Sequence, residues 1–154
     1  MINKKIVIIG YSGHSYGCVE VAIKQGFSIV GYHDILEKVN NPYNLNYLGP
    51  EDNIDLNNKV FIAIGDNIIR KKIYEKLRSN NISLNTTLIH SNTIISKSSL
   101  IEKQTFISAG VIINPQVKIG LGCIINTGSI VEHDCYIGKF SHIAPGAVLA
   151  GNVS

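Results

Sequence analysis

The sequence has no tryptophan, one methionine and only 4 prolines in 154 residues, and its charged residues amount to 16%. Set beside 45% hydrophobic residues, that low charge excludes a disordered chain, and the length allows one domain or two small ones. Concentrated positive charge is also missing. The net charge is +3, and apart from Arg70-Lys71-Lys72 the 14 Lys and Arg are scattered, which argues against a nucleic-acid surface. No apolar run reaches the roughly 20 residues of a membrane span, and Lys4 to Gly10 is too short for a signal-peptide core, so a cytoplasmic protein without a membrane partner is expected. The 3 cysteines, Cys18, Cys123 and Cys135, form no CxxC pair, which disfavours a zinc knuckle or disulfide framework. What the chain has in quantity is isoleucine, a bias toward strand-rich packing.

In the first half, the β-branched run Lys4 to Ile9 meets Gly10-Tyr11-Ser12-Gly13-His14, and Ser15 to Gln25 then carries Val19, Ala22 and Ile23 at helical spacing. Strand, glycine turn and helix follow one another. A second strand, Ser28 to Tyr32, ends at His33-Asp34; a third, Lys59 to Ile64, ends at Gly65-Asp66-Asn67 before a helix with Ile69, Ile73 and Leu77. This alternation predicts a small parallel α/β sheet, with Asn40 to Asn58 as an irregular crossover. Ligands of such sheets sit beyond the carboxyl ends of the strands, where helix N-termini offer free N–H groups to phosphate. The first turn does not match the dinucleotide pattern G-x-G-x-x-G, because Ser12 and Ser15 hold the second and third glycine places. Two readings stay open: a glycine loop that cradles pyrophosphate with Asp34 accepting from ribose or base, or a tight turn in which Asp34 only caps the next element.

The second half is a repeat. Counting in sixes from Ile89 gives Ile95, Ile101, Ile107, Ile113, Ile119, Ile125, Val131, Ile137, Ile143 and Leu149, an unbroken aliphatic column. With Ile, Leu and Val at 48 of 154 residues, such a run arises by chance far less than about once in ten thousand sequences. Four places after each aliphatic stands a small or β-branched residue, among them Cys123 and Cys135, which are therefore space fillers. One strand and one corner per hexad, with three hexads to a coil of about 18 residues, describe a parallel β-helix. Its flat sides predict association about a symmetry axis.

With both halves in place, the chain resembles the hexapeptide-repeat sugar acyltransferases, and within them the bacillosamine-type UDP-4-amino-sugar N-acetyltransferases and their sialic-acid O-acetyltransferase relatives. The resemblance is carried by Gly10-Tyr11-Ser12-Gly13-His14, by Ala63-Ile64-Gly65-Asp66-Asn67 followed by Ile69 to Tyr74, and by Asn126 to Cys135. Gly138 to His142 and Ala150 to Val153 add to it. It implies a Rossmann-like nucleotide-sugar-binding domain over 1–84 and a left-handed β-helix over 85–154, incomplete because eleven hexads fill three coils and two thirds of a fourth. It further implies a homotrimer that uses acetyl-coenzyme A and no metal.

The same resemblance implies roles. His133 matches the general base, with Asp134 on its other ring nitrogen, and Glu132 is the substitute base. Ser12, Gly13, His14, Asp34 and Gly65 match the residues that hold the nucleotide sugar. His142 matches a histidine at the coenzyme, and Gly151, one coil above His133, leaves room for the extended ligand. His33 and His90 are read as structural or solvent-facing, and His133 with Cys135 lacks the third ligand a metal needs. Three functions are thereby ranked: N-acetylation of a UDP-linked 4-amino-6-deoxy sugar for surface glycans, O-acetylation of a sialic-acid-like sugar, and a non-catalytic nucleotide-sugar-binding fragment.

Overall fold

The computed structural model describes residues 4–52 and 54–154. The chain divides into two compact units, Met1–Thr86 and Thr87–Ser154. In the first, β1 (Lys4–Ile9) is the middle of a three-stranded parallel sheet, between β2 (Phe27–His33) and β3 (Lys59–Ile62). A strand covered on both faces needs a continuous apolar run, and Ile6, Val7, Ile8 and Ile9 are each at most 2% exposed. Helix α1 (Gly13–Lys24) buries Cys18, Val19, Val21 and Ala22. Helix α2 (Asn67–Ser79) buries Leu77 and is capped by Asp66, whose Oδ1 accepts the N–H groups of Ile68 and Ile69 at 2.9 and 2.8 Å.

The second strand runs one residue further at each end than expected, Phe27–His33, and two other boundaries differ in ways that shape the strand ends. Helix α1 starts at Gly13, before Ser15, because Ser15 closes the first turn: its Oγ accepts the Ser12 N–H at 2.9 Å and donates to the Ser12 carbonyl at 2.6 Å. The third strand stops at Ile62 and not Ile64. The carbonyls of Ile64 and Gly65 turn aside to Nη1 of Arg70, each at 2.9 Å, while Nη2 donates to Asn67 Oδ1 at 2.7 Å. Arg70 is therefore 2% exposed and does not belong to a surface basic run.

The crossover is irregular as expected, and tyrosines hold it. Tyr11 stacks on Tyr32 with centroids 4.3 Å apart. The Tyr11 hydroxyl donates to Asn41 Oδ1 at 2.9 Å, and burial pushes that phenol above its ordinary pKa. Asn46 and Leu48 hydrogen-bond to the backbone of Tyr32 on the edge strand.

The second unit is a left-handed parallel β-helix. Eleven two-residue strands, β4 (Leu88–Ile89) through β14 (Val148–Leu149), stack in three sheets: β4-β7-β10-β13, β5-β8-β11-β14 and β6-β9-β12. Every aliphatic of the hexad column is the second residue of its strand, and from Ile107 to Ile137 these residues are at most 4% exposed. Burying each contributes about 1.5–3 kcal/mol. The small inward positions do more than fill space. Ser99, Thr105, Cys123 and Cys135 each donate to the carbonyl 15 residues on, Asn114, Gly120, Gly138 and Ala150, at 2.8, 3.3, 3.0 and 3.1 Å.

A second column was invisible in the hexads. Gln104, Gly110, Gln116, Gly122, Gly128, Asp134, Phe140, Gly146 and Asn152 all lie at φ between 56° and 71°, one left-handed residue per turn. A Cβ on Gly122 would meet the Phe140 ring at 2.6 Å, whereas one on Gly128 would meet nothing within 4 Å. Gly128→Ala is accordingly expected to cost only the left-handed penalty of about 1–2 kcal/mol. Gly122→Ala adds an overpacking cost of about 1–3 kcal/mol. Urea unfolding of both variants measures the difference, and equal losses would mean that the ring simply moves away.

Candidate functional site

The three strand ends of the first unit meet around a cavity of about 450 Å³. Gly10, Tyr11, Ser12 and His14 come from the end of β1, His33, Asp34 and Ile35 from β2, and Ile64, Gly65 and Asp66 from β3. Gly10 is obligatory here: its φ is +84°, and a Cβ would stand 2.6 Å from Ile64 Cγ1, so only glycine lets these two ends approach. Of the residues expected to hold a nucleotide sugar, Ser12, His14, Asp34 and Gly65 line this cavity. Gly13, the first residue of α1, has open space where its Cβ would be.

Asp34 has work within the fold. Its Oδ2 accepts the Tyr11 N–H at 2.9 Å, and its Oδ1 accepts the Ile35 N–H at 2.8 Å and an ion pair from Lys38 at 3.1 Å. It ties the first strand end to the second, and a ligand would share it with the backbone. Opposite, Glu51 also lines the cavity, and Lys76 Nζ holds Glu51 Oε1 at 3.0 Å and Asp52 Oδ1 at 2.6 Å. Those bonds, to Asp52 first and then Glu51, raise the Lys76 pKa. Cys18 lies one helical turn beyond His14, its Sγ 3.5 Å from His14 Nε2, and burial pushes its thiol far up, so it stays protonated.

In the second unit, His133 and Asp134 form the turn between β11 (Ile130–Val131) and β12 (Tyr136–Ile137). Asp134 takes the left-handed place, φ 58°, and its N–H donates to the Pro115 carbonyl at 3.1 Å. The conformation brings its Oδ2 to 2.9 Å from His133 Nδ1, with both side chains more than half exposed. A carboxylate at Nδ1 fixes the tautomer and leaves Nε2 as the proton-accepting nitrogen.

Gly151 covers the edge of this ring: a Cβ there would fall 2.7 Å from both Cε1 and Nε2 of His133. The stacking is anchored on either side of the glycine. The Asn152 N–H donates to the His133 carbonyl at 3.0 Å, and the Cys135 thiol donates to the Ala150 carbonyl at 3.1 Å.

His142 is not brought to this place within one chain. It opens β13 (His142–Ile143) on the β4-β7-β10-β13 sheet, and Asn126 Nδ2 donates to its Nε2 at 3.0 Å. Among the described residues no group of three or more His, Cys, Asp or Glu could hold a metal ion, and no helix is long and apolar enough to cross a membrane.

Sequence reasoning missed Arg70 and Asp66, which shape the third strand end. The spacing of Asp66 to the α2 apolar positions was an available N-cap signal. Arg70 stands three residues before Ile73 and seven before Leu77, on the apolar face of α2, and that spacing was the available signal that separates it from Lys71 and Lys72.

Residues 5–77 match the family model described as the PglD N-terminal domain. The acetyltransferase domain of PglB from Neisseria gonorrhoeae, solved in complex with acetyl coenzyme A, is 28% identical, with 97% of this chain and 75% of that chain covered and a TM-score of 0.88. PerB from Caulobacter crescentus, solved in complex with CoA and GDP-perosamine, is 31% identical over 96% of this chain and 72% of that one, with a TM-score of 0.86. WeeI from Acinetobacter baumannii, at 23% identity and a TM-score of 0.78, shares the fold. An α/β unit with a strand-end cavity, an eleven-strand β-helix and these matches agree that the chain belongs to the hexapeptide-repeat sugar N-acetyltransferase family.

Proposed function

We propose that this protein transfers an acetyl group from acetyl-CoA to the 4-amino group of a UDP-linked 4-amino-6-deoxy sugar destined for a surface glycan, with His133 as general base. The carrying observation is the His133–Asp134 pair under Gly151. The thioester of the coenzyme supplies the acyl group. Nε2 of His133 takes the proton that the sugar amine loses as its nitrogen forms the amide bond, and the imidazolium so formed is balanced by Asp134. That proton can then pass to the departing thiolate, which leaves His133 as it began. Gly151 lies against the ring without a side chain, so the imidazole keeps its place where any Cβ would meet Nε2. The cavity favours this reading over O-acetylation of a free sugar, because a free sugar has no diphosphate or base to place there. Ser12, Gly13, His14 and Gly65 surround the diphosphate and Asp34 meets the nucleoside.

The working unit is a homotrimer in which one protomer supplies His133 and Asp134 and the next supplies His142. In support, the outward residues of the β5-β8-β11-β14 sheet are all aliphatic, Ile94, Ile112, Ile130 and Val148, and the outermost two are 68% and 65% exposed. An aliphatic ladder on a flat sheet is a surface for a second copy.

Calorimetry with a UDP-sugar tests the cavity. Gly13→Val is the clean variant, because its side chain enters open space and disturbs no neighbour; at least a tenfold loss of affinity is expected, and unchanged affinity would remove the loop from the site. Asp34→Ala should weaken binding too, partly by freeing Tyr11.

For the base, His133→Ala should lower turnover by about 10² to 10⁴ with sugar binding little changed. Gly151→Ala should lower it by on the order of 10 to 100 by displacing the imidazole. A small effect of both would reduce His133 to a positioning role.

Mixing inactive His133→Ala with inactive His142→Ala subunits should recover activity through clefts that carry both native histidines. A mixture as inactive as its parents after proven exchange, or a monomer in sedimentation, would refute the shared site.

A further inference from the structure

His33 was expected to be structural or solvent-facing, and it is neither alone. It ends β2, is 2% exposed, and lines the strand-end cavity. Its Nδ1 lies 3.1 Å from the Gly49 carbonyl and 3.0 Å from the Pro50 carbonyl. Both partners are acceptors only, so Nδ1 carries the proton, and Nε2 of the neutral ring is an acceptor. Nε2 has no hydrogen-bond partner among the described residues. Yet among the described residues no side-chain nitrogen or oxygen is both fully buried and unpartnered, so the small open part of the ring includes this nitrogen, and His33 is one of the residues that line the cavity.

The charges around the cavity say which part of a nucleotide comes here. Phosphate belongs with the free N–H groups at the start of α1. The carboxylates of Asp34, next to His33 in sequence, and of Glu51 line the same cavity and would repel phosphate, but they tolerate a neutral ring. Ile64, Ile69 and Ile73 supply an apolar wall for its face. The loop that orients His33 is itself held down by Lys76 through Glu51 and Asp52.

We propose that His33 is a specificity-determining residue that reads the base, its Nε2 accepting the ring N–H that uracil and guanine carry and that cytosine and adenine lack. The proposal rests on the nucleotide-sugar reading of the cavity. An unprotonated ring nitrogen on the base would face Nε2 lone pair to lone pair, and a buried acceptor left unpaired is costly.

Calorimetry on the full chain with UDP against CDP and GDP against ADP tests it. At least one pair should show a preference of about tenfold or more for the base with the ring N–H; which pair does so tells uracil from guanine. His33→Asn keeps an amide N–H where Nδ1 stands and removes the ε acceptor, whereas His33→Gln places its amide where Nε2 stands and gives up the bonds to Gly49 and Pro50. The preference should collapse in His33→Asn with the melting temperature nearly kept, and should fall in His33→Gln as well, because that amide can turn either its oxygen or its NH2 to the base, with the melting temperature lowered by loss of the bonds to Gly49 and Pro50. A purely structural histidine would lose stability in the Gln variant and leave base preference alone in both. No preference in the wild type, or full retention of it in the Asn variant, overturns the proposal while nucleotide binding stands. Failure of all four nucleotides to bind overturns the nucleotide-sugar reading and this proposal together.

Discussion

Everything in the second unit follows from one constraint, that a residue must lie on the residue one coil later. Parallel backbone pairing between coils, as in Ile130 with Val148 and Val131 with Leu149, enforces it strand by strand. Corners are held to the same alignment by backbone bonds of their own, such as Asp134 N–H to the Pro115 carbonyl and Asn152 N–H to the His133 carbonyl, and so a glycine comes to rest on the ring of His133. The inward hydroxyls and thiols reinforce the same alignment by bonding the carbonyl layer above. The site at His133 is therefore a product of translation along the helix axis, with its neighbours drawn from residues that are distant in sequence and adjacent in the stack.

The first unit works on a different principle. No long stack positions its residues; three strand ends do, each closed by a local device. Ser15 closes the first, Asp34 ties the first to the second, and Arg70 gathers the carbonyls of the third. Such ends leave few uncommitted polar groups, which is why the free nitrogen of His33 is conspicuous in a cavity whose other polar side chains largely serve the fold. The tyrosines add rigidity where the chain has no regular structure. Tyr11 on Tyr32, Tyr11 beside Tyr16 and Tyr32 beside Tyr47 tie a loop rich in Asn to the edge of the sheet.

Much of this could be read before any coordinates. The aliphatic column every six residues names the second residue of all eleven short strands, and an 18-residue coil already puts Gly151 over His133, because both depend only on counting. The three strands and two helices of the first unit were legible from runs and spacing. What escaped is what depends on side-chain geometry rather than period. The left-handed column hides behind Gln104, Gln116, Asp134, Phe140 and Asn152, where no glycine announces it. The burial of Arg70 depends on two carbonyls that only the folded turn presents. Asp34 stands out in the sequence by its place at a strand end, but its bonds to the Tyr11 and Ile35 N–H groups follow from the third dimension alone.

The stacking of Gly151 on His133 also limits how the gene can change. A single inserted or deleted residue in the regular path between them would carry a different neighbour onto the imidazole and turn every later inward residue outward. Length can therefore vary in this stretch only by loops that leave a corner and return to it without altering the count, because even a whole added coil would part the glycine from the imidazole. Substitution is freer, since each column accepts any residue that suits its own corner. Lineages that share this site should accordingly differ in the letters of their hexads long before they differ in the number of residues between the histidine and its glycine.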